Sequence, residues 1–310
     1  MKILITGGAG FIGSNVADRY LELGHEVIIV DNLVTGQREN IPKKAKFYQV
    51  DICDADEITR IFNKEKPEIV NHHAAQMDVR KSVEDPIYDA TVNVLGSLNL
   101  LQNCVQNKTG KFIFASTGGA IYGEQDYFPA DEKHPLRPLS PYGITKLTTE
   151  KYLYFYHLTY GLNYTVLRYA NVYGPRQNPH GEAGVVAIFS ERILTGRQPI
   201  INGDGLQTRD YVYVGDVVKA NQLVLNNGDN SVYNIGTGIE TNVNELFANI
   251  VKSADRNVSE RHGEAKPGEQ KRSVLDSARI AEELKWKPSI PLAEGIQNTV
   301  DFFRNKLSRS

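Results

Sequence analysis

The sequence lacks the features that mark membrane proteins, disulfide-rich secreted proteins and nucleic-acid-binding proteins. Its 310 residues include only two cysteines, Cys53 and Cys104, and they form no metal or disulfide pattern. A net charge of −2 provides no basic surface for nucleic acid or an anionic membrane. No apolar run is long enough to cross a bilayer, and the glycine-broken N-terminus is too short for a signal segment. We therefore expect a cytoplasmic protein with no membrane or nucleic-acid partner.

Apolar residues make up 41% of the chain, which is ordinary for a globular protein. The length of 310 residues indicates one large domain or two. In the first half, short apolar runs alternate with helical patterns. Strands are predicted at residues 3–6, 27–31, 47–51, 68–72, 111–115 and 164–168, and helices at 12–23, 56–64, 86–106 and 141–160. This alternation predicts an α/β fold, a Rossmann-type doubly wound parallel sheet with helices on both faces.

The second half has a looser pattern, because glycine and proline become frequent after about residue 170. The stretches 211–225 and 232–236 look like a return to the sheet. We therefore expect a nucleotide-binding Rossmann domain over residues 1–169, to which the chain returns around 210–236. A smaller, interleaved substrate-binding part is expected over residues 170–310.

The first strand runs into a glycine-rich turn that opens a helix. Gly7, Gly10 and Gly13 recur every three residues, and such a turn lets the backbone approach a pyrophosphate at a helix N-terminus. Asp31 follows 18 residues after Gly13, at the end of the second predicted strand. An acid there accepts hydrogen bonds from ribose hydroxyls and repels a 2′-phosphate, so NAD is favoured over NADP.

Further cofactor contacts are expected where the third and fourth strands end. Asp51 and Ile52 stand at the end of the third strand and are placed beside the adenine, although Asp51 also suits a turn cap. Small residues follow the fourth strand and leave room for the cofactor. His72 and His73 lack further ligands at metal spacing, so we interpret them as strand-end packing and predict no metal site.

One Tyr-x-x-x-Lys pair occurs, in the stretch SPYGITKLTTEKYL. Tyr142 and Lys146 share one face of a helix at this spacing, but about one such pair is expected by chance among 16 tyrosines. Ser140 suits an N-cap and Pro141 the first helical position, which places Tyr142 in a first helical turn. The strand predicted at 111–115 runs into a loop before this helix, which places Ser116 and Thr117 at the carboxyl edge of the sheet. The hydroxyl, the phenol and the ammonium are therefore expected together at the nicotinamide.

The stretches TGGAGFIG, STGGAIYGE, SPYGITK, LRYANVYGPRQ and TRDYVYVGDVV extend over nearly the whole chain. With them, the sequence resembles the extended short-chain dehydrogenase/reductase family and, within it, the UDP-glucose (UDP-galactose) 4-epimerases. The resemblance implies an isomerase that uses NAD to epimerise C4 of a UDP-hexose through a transient 4-keto sugar. It implies the catalytic residues Thr117, Tyr142 and Lys146. The cofactor contacts that we predict are Gly7, Gly10, Phe11, Ile12, Gly13, Asp31, Asn32, Asp51, Ile52, His73, Ala74, Ala75, Gln76, Asn93, Tyr142, Lys146 and Tyr169.

The chemistry of the pair agrees with this role. Ionising a free tyrosine at neutral pH costs about 4 kcal/mol. A lysine ammonium about 5 Å away offers roughly 3 kcal/mol at an effective dielectric constant of about 20. Tyr142 is therefore expected to act as a phenolate base and Lys146 as its electrostatic activator and ribose clamp. Thr117 is expected to orient the substrate hydroxyl.

Related activities are alternatives. Dehydratases of the family carry an Asp-Glu pair directly after the catalytic threonine, where this chain has Gly118 and Gly119, so elimination lacks its proton carriers. The two glycines also suit a tight turn. Epimerases of UDP-N-acetylglucosamine or UDP-glucuronate are the main alternatives, ahead of a dTDP-sugar dehydratase or a non-catalytic NAD-binding regulator.

For the substrate, the predicted contacts are Thr117, Tyr142, Asn171, Val185, Ile201, Arg209, Lys266, Glu269 and Ser273. Asn171 and Arg209 are expected near the diphosphate of a UDP-sugar. A loop-capping asparagine and a structural Arg209–Asp210 pair are the alternatives. The segment 181–189 leads into a helix whose N-terminus suits a phosphate.

A late substrate loop of the family usually reads Arg-x-Gly-Asp, where this chain has Lys266 and Glu269. Counting from Glu269 places Ser273 where a tyrosine would exclude an N-acetyl group. A serine there predicts acceptance of UDP-N-acetylglucosamine, unless it is a surface serine. The family also implies a homodimer through the helices at 86–106 and 141–160. The apolar residues Tyr152, Phe155, Tyr156 and Leu158 suit that interface or the core.

Overall fold

The computed structural model describes residues 1–180, 184–265 and 270–308. Its strands are β1 (Lys2–Thr6), β2 (Glu26–Val30), β3 (Lys46–Tyr48), β4 (Ile69–His72), β5 (Lys111–Thr117), β6 (Asn163–Tyr169), β7 (Asn171–Tyr173), β8 (Ile201–Asn202), β9 (Thr208–Tyr213), β10 (Ser231–Ile235), β11 (Glu240–Asn242), β12 (His262–Gly263) and β13 (Arg272–Ser273).

The main sheet has seven strands in the order β10-β6-β5-β4-β1-β2-β3, and each pairing in it is parallel. From β3 to β6 this is the Rossmann strand order, so the predicted fold class is confirmed. The strands β1, β2, β4, β5 and β6 are almost wholly buried, as expected of a sheet covered on both faces. The third strand ends at Tyr48, three residues earlier than predicted.

The helices are α1 (Phe11–Glu22), α2 (Ala55–Glu65), α3 (Val79–Glu84), α4 (Pro86–Ala90), α5 (Gly96–Gln106), α6 (Gly118–Ile121), α7 (Pro141–Tyr160), α8 (Val185–Leu194), α9 (Val214–Leu223), α10 (Val243–Ala254), α11 (Ala278–Leu284) and α12 (Leu292–Leu307). A π-helical segment, Thr91–Leu95, joins α4 to α5. The helix predicted at 86–106 therefore contains a π-bulge, a feature that often marks functional positions. No helix of the described residues is long and apolar enough to cross a membrane.

Two apolar layers cover the main sheet. One includes Val16 and Tyr20 of α1 and Val217 of α9, and the other includes Ile61 of α2 and Leu153 of α7. All five side chains are fully buried. The two layers explain why the strand runs are apolar without alternation.

The second half forms a smaller unit around α8, α10 and α12. Phe189, Phe247 and Val300 belong to its core. The stretch 211–225, predicted to return to the main sheet, begins with a strand of a different sheet, because β9 pairs with β7, β11 and β13. After β9, α9 packs against α1, and β10 then joins the main sheet beside β6.

The long helix α7 has the ends that its sequence predicts. The Ser140 hydroxyl accepts a hydrogen bond from the Gly143 amide at 3.2 Å, and Pro141 occupies the first turn. Gly161 ends the helix with a φ of +71°, in the left-handed region that favours glycine. Tyr142 therefore lies in the first turn, at the carboxyl edge of the sheet.

Candidate active site

A cleft of about 790 Å³ runs along the carboxyl ends of the parallel strands. The ends of β2, β5 and β6 and the turns after β1 and β4 line it. In open parallel sheets, ligands bind at this edge, at the point where the strand order changes direction. Here that point lies between β1 and β4, which are neighbours in the sheet.

The turn after β1 has no space for a side chain at Gly7 or at Gly13. Gly7 has a φ of +68°, and a Cβ there would lie 2.6 Å from the backbone nitrogen of Ala74. A Cβ at Gly13 would clash with the carbonyl oxygen of Gly7. Gly10 caps α1 without a side-chain hydrogen bond. A cradle of bare backbone at a helix N-terminus suits a dinucleotide pyrophosphate, so these residues fit NAD.

Asp31 borders the cleft at the end of β2 and is 7% exposed. One carboxylate oxygen accepts the Ala9 amide at 2.9 Å, and the other accepts the Leu33 amide at 2.8 Å. Burial raises the pKa of Asp31, and the two amide bonds oppose this effect. Each oxygen retains further acceptor capacity, as the predicted ribose contact requires.

The neighbouring Asn32 and Asp51 also line the cleft, with Ile52. The side-chain amide of Asn32 donates to one oxygen of Asp51 at 2.8 Å, and the backbone amide of Cys53 donates to the other at 2.8 Å. Asp51 therefore lies on the cleft wall and accepts the hydrogen bonds of a turn, as its alternative interpretation predicted.

His73 lies at the base of the cleft, and its ring stacks on that of Tyr169 with the centroids 6.4 Å apart. Burial lowers the pKa of His73 to about 3, and the charge of Lys146 acts in the same direction. His72 contacts the hydroxyls of Thr6 and Ser97 through its two ring nitrogens. The other predicted cofactor residues on the described cleft wall are Phe11, Ile12, Ala74, Ala75 and Gln76.

Asn93 is not part of the described cleft wall. It lies in the π-helical segment, 3% exposed, and contacts the backbone of Gln76. Its side-chain oxygen accepts the Gln76 amide, and its side-chain nitrogen donates to the Gln76 carbonyl, both at 2.9 Å. Asn93 thus supports Gln76, which does line the cleft, and a direct contact between Asn93 and the cofactor stays a prediction.

Tyr142 and Lys146 border the same cleft, one helical turn apart on α7. The Lys146 ammonium lies 5.9 Å from the centre of the Tyr142 ring and donates to the Ala115 carbonyl at 2.9 Å. Burial lowers the pKa of Lys146 to about 8, whereas the charges of Asp89 and Glu150 raise it. A partly desolvated ammonium acts strongly on charge that develops nearby.

Thr117 ends β5 on the cleft wall. A Cβ built on Gly119 would lie 3.9 Å from the Thr117 hydroxyl and 3.9 Å from the side-chain oxygen of Asn171. Gly119 therefore leaves open space between two polar groups. Gly118 differs, because its Cβ would clash with the side chain of Leu275. Packing therefore requires a glycine at position 118, whereas Gly119 widens the cleft.

A buried ion pair that sequence reasoning missed lies behind these residues. Glu150 accepts two hydrogen bonds from Arg168 of β6, at 3.1 and 2.6 Å, and one from Ser116 of β5 at 2.6 Å. Arg168 also donates to the Tyr122 hydroxyl at 3.0 Å. One available signal was that Glu150 stands four residues after Lys146, on the same face of the helix.

The predicted substrate residues separate into three groups. Asn171, Val185 and Arg209 line the cleft. Lys266 and Glu269 lie outside the described residues. Ile201 and Ser273 do not belong to the described cleft wall, since both are buried in the smaller unit.

These two placements have simple causes. Ile201 is fully buried in the apolar core around α8 and α10. Ser273 is 3% exposed and pairs with Arg209 across β13 and β9, so it is not the surface serine of the alternative interpretation either.

Asp210 accepts hydrogen bonds from the backbone of Thr237, Gly238 and Leu275. Cleft residues that sequence reasoning missed are Arg176, Gln177, Tyr211 and Gln270.

Comparison with known proteins identifies what this arrangement resembles. A UDP-glucose 4-epimerase of Mycolicibacterium smegmatis is 45% identical over an alignment of 312 positions, which covers 99% of each chain. A structure of a UDP-glucose 4-epimerase of Thermotoga maritima with UDP-glucose matches with a TM-score of 0.97 and 51% identity, over 99% of this chain and 100% of that one. A Thermus thermophilus UDP-glucose 4-epimerase in complex with NAD matches with a TM-score of 0.94 and 46% identity, over 98% and 99% of the two chains.

The family match covers the cleft-forming part of the chain. The model of the NAD dependent epimerase/dehydratase family matches residues 3–236, which include the glycine turn, Asp31, Thr117, Tyr142 and Lys146. The match spans three quarters of the sequence, and the relatives extend it to the full length. This chain belongs to the NAD dependent epimerase/dehydratase family.

Proposed function

We propose that this protein is an NAD-dependent UDP-glucose 4-epimerase, which interconverts UDP-glucose and UDP-galactose. The observation that carries the proposal is that Tyr142, Lys146 and Thr117 border the same cleft as the bare glycine turn and Asp31. Full-length similarity to several UDP-glucose 4-epimerases supports the substrate assignment.

In the proposed reaction, Tyr142 removes the proton from the C4 hydroxyl of the sugar and later returns a proton to the 4-keto oxygen. Bound NAD supplies the hydride acceptor and then the hydride donor, so the cycle is redox-neutral. Thr117 holds the reacting oxygen by a hydrogen bond. Lys146 stabilises the Tyr142 phenolate through its positive charge, which is strongest below its lowered pKa of about 8.

Asp31 and the turn at Gly7, Gly10 and Gly13 would hold the cofactor. Asp31 would accept hydrogen bonds from the adenosine ribose, and the backbone of the turn would hold the pyrophosphate. On the substrate side, Arg209 is a bidentate donor suited to a diphosphate. Asn171 and Val185, the first residue of α8, complete the wall that faces it.

The glycine pair favours epimerisation over dehydration. Neither Gly118 nor Gly119 offers an acid or base for elimination. Gly119 opens toward Thr117 and Asn171. An epimerase must present both faces of one 4-keto sugar to the same nicotinamide, and open space beside the hexose serves that requirement.

We further propose that the protein forms a homodimer and works in the cytoplasm. Exposed apolar side chains occur along α4 to α5 and along α7, among them Ile87 (79% exposed), Leu95 (55%), Phe155 (48%) and Leu158 (65%). A second copy of the chain would cover these apolar surfaces by two-fold symmetry. Both cysteines are free thiols, which suits a reducing compartment. Sedimentation analysis of the protein and of Leu158→Glu tests the dimer, and the variant is expected to shift toward monomer.

The decisive experiment is incubation of the purified protein with UDP-galactose, UDP-N-acetylglucosamine, UDP-glucuronate and dTDP-glucose in separate reactions. NMR of the sugar products distinguishes C4 epimers from 4-keto-6-deoxy sugars. We expect UDP-galactose to give UDP-glucose without added NADH. A 4-keto-6-deoxy product, or conversion of the other UDP-sugars with none of UDP-galactose, would contradict the proposed function.

A further inference from the structure

Asp89 on α4 is a fully buried carboxylate that lies behind the cleft wall. One oxygen accepts hydrogen bonds from the side-chain nitrogens of Gln76 and Asn93, at 2.9 and 3.1 Å. The other accepts the hydroxyl of Thr145 at 2.8 Å. These three donors are neutral, so their hydrogen bonds satisfy the carboxylate without neutralising its charge.

Each donor belongs to a segment that forms the cleft. Gln76 lines it directly. Asn93 is bonded to the Gln76 backbone in both directions. Thr145 stands next to Lys146, and its hydroxyl also lies 3.0 Å from the Tyr142 carbonyl. One carboxylate thus connects the loop after β4, the π-helical segment and the first turns of α7.

The groups around Lys146 show why the charge of Asp89 matters. His72 and His73, at the end of β4, have pKa values lowered by burial, and the Lys146 charge lowers them further, so both are neutral. Glu150, on α7 itself, is paired with Arg168 at 2.6 Å. The Ala115 carbonyl of β5 contributes only a dipole. Of the two carboxylates whose charges raise the pKa of Lys146, Asp89 has the larger effect, and its hydrogen-bond donors are neutral, whereas Glu150 is paired with Arg168.

We propose that Asp89 is a positioning residue that keeps Lys146 charged and fixes the start of α7 against the cleft. The proposal depends on the proposed function in one respect only, which is that Lys146 has a catalytic role. Without Asp89, burial favours the neutral amine, because a desolvated ammonium without a counter-charge is costly. Asp89 thus extends the pH range over which Lys146 stays charged and the Tyr142–Lys146 pair can work.

The test is Asp89→Asn, which keeps the shape of the side chain. The new amide oxygen still accepts from Gln76 and Asn93, and the new amide nitrogen donates to the Thr145 hydroxyl, which retains its bond to the Tyr142 carbonyl. The charge alone is lost. NMR of 13C-labelled lysine in the NAD-loaded protein, with Lys146 assigned by Lys146→Met, measures the Lys146 titration without any turnover.

We expect the Lys146 midpoint to fall by about one pH unit in Asp89→Asn, a tenfold change in the ratio of charged to neutral amine. The alkaline limb of kcat should move down by a similar amount. The matched control is Asp216→Asn, since Asp216 is also fully buried but contacts Ser289 and Ile290 outside the cleft wall. The control should leave the Lys146 midpoint unchanged.

Thr145→Val tests position without changing charge, because it removes the hydrogen bond from α7 to Asp89 and leaves the Asp89 carboxylate in place. It should reduce kcat at every pH without moving the midpoint. An unchanged midpoint in Asp89→Asn, or an equal fall in Asp216→Asn, would overturn the proposal. If Asp89→Asn does not fold, Asp89→Ser is measured by the same criteria. Absence of any UDP-sugar conversion by the parent protein counts against the proposed function, and the NMR titration still decides the role of Asp89.

Discussion

The two sides of the cleft are built in different ways. On the cofactor side, the residues follow the ends of consecutive parallel strands, and contacts between nearby chain segments fix them, such as the bonds of Asp31 to the amides of Ala9 and Leu33. On the substrate side, the wall combines β7, β9 and the N-terminus of α8 with Gln270, which come from distant parts of the chain. A local motif predicts the first side well, whereas the second depends on how distant segments pair.

The helix α7 connects the two sides. Tyr142 and Lys146 extend from it toward the cleft, and its buried face carries Thr145 and Glu150. The Tyr142–Lys146 pair, which we propose is catalytic, thus depends on the cofactor side for its position and would act on a ligand held by the substrate side. Variants that affect one side and spare the other measure how far this division holds.

The largest effect is expected from Tyr142→Phe. It removes the proposed base and leaves the glycine turn and Asp31 in place, so turnover should fall at least about 10²-fold while NAD stays bound. Steady-state rates with UDP-galactose and the NAD content of the purified protein are the measurements. Tyr152→Phe, on the same helix and 36% exposed, is the control and should keep parental activity. Near-parental turnover in Tyr142→Phe would remove Tyr142 from the base role.

A second variant acts on the substrate side alone. Gly119→Val places a branched side chain between the Thr117 hydroxyl and the Asn171 oxygen, in space that the hexose is proposed to use. Overpacking of this kind costs about 2 kcal/mol, so kcat/KM for UDP-galactose should fall roughly 30-fold with NAD affinity unchanged.

Gly119→Ala provides the graded comparison, because a single methyl is in ordinary contact at 3.9 Å. It should cost only a few-fold in kcat/KM. An equal loss in both variants, or a loss of NAD in either, would show that Gly119 serves backbone conformation rather than sugar space.

The contrast between the two sides also explains what the sequence could predict. The glycine turn, Asp31 and the ends of α7 depend on short-range backbone rules, and the structure has them where those rules place them. Ser273 was assigned by counting along the chain, but the pairing of β13 with β9 buries it, and the predicted contact Ile201 is buried in the core around α8. The hydrogen bonds of Asn93 to Gln76 were not predicted, because Asn93 lies in a π-helical segment that the helical pattern did not indicate. Long-range pairing and helix irregularity leave no signal in local spacing.

On the cofactor side, Asp31→Ala should change cofactor choice rather than turnover. Loss of the carboxylate removes the repulsion of a 2′-phosphate and the bonds to ribose hydroxyls, so the preference for NAD over NADP should narrow about tenfold. Fluorescence titration with both cofactors measures the ratio. Asp51→Ala is the matched control, since Asp51 also borders the cleft but contacts Asn32 and Cys53. An equal change in both variants would remove the specific role of Asp31.

The smallest effect is expected at the edge of the substrate side, at Arg272. Its guanidinium pairs with Glu240 at 2.5 Å and lies 3.7 Å from the centre of the Phe128 ring. It begins β13, two residues after Gln270, which lines the cleft and donates to the Gly123 carbonyl at 2.6 Å. Arg272 is therefore placed to hold the strand that leads away from the cleft.

The Arg272 side chain is 49% exposed, so solvent weakens its ion pair with Glu240, and the effect of Arg272→Ala should be small. We expect a two- to threefold rise in KM for UDP-galactose with kcat unchanged, because Tyr142 and Lys146 do not depend on this strand. Arg60→Ala removes a comparable exposed pair with Glu57 on α2 and should not change KM. A fall in kcat would mean that the strand β13 also supports the reacting groups, and the two sides of the cleft would then be coupled rather than separate.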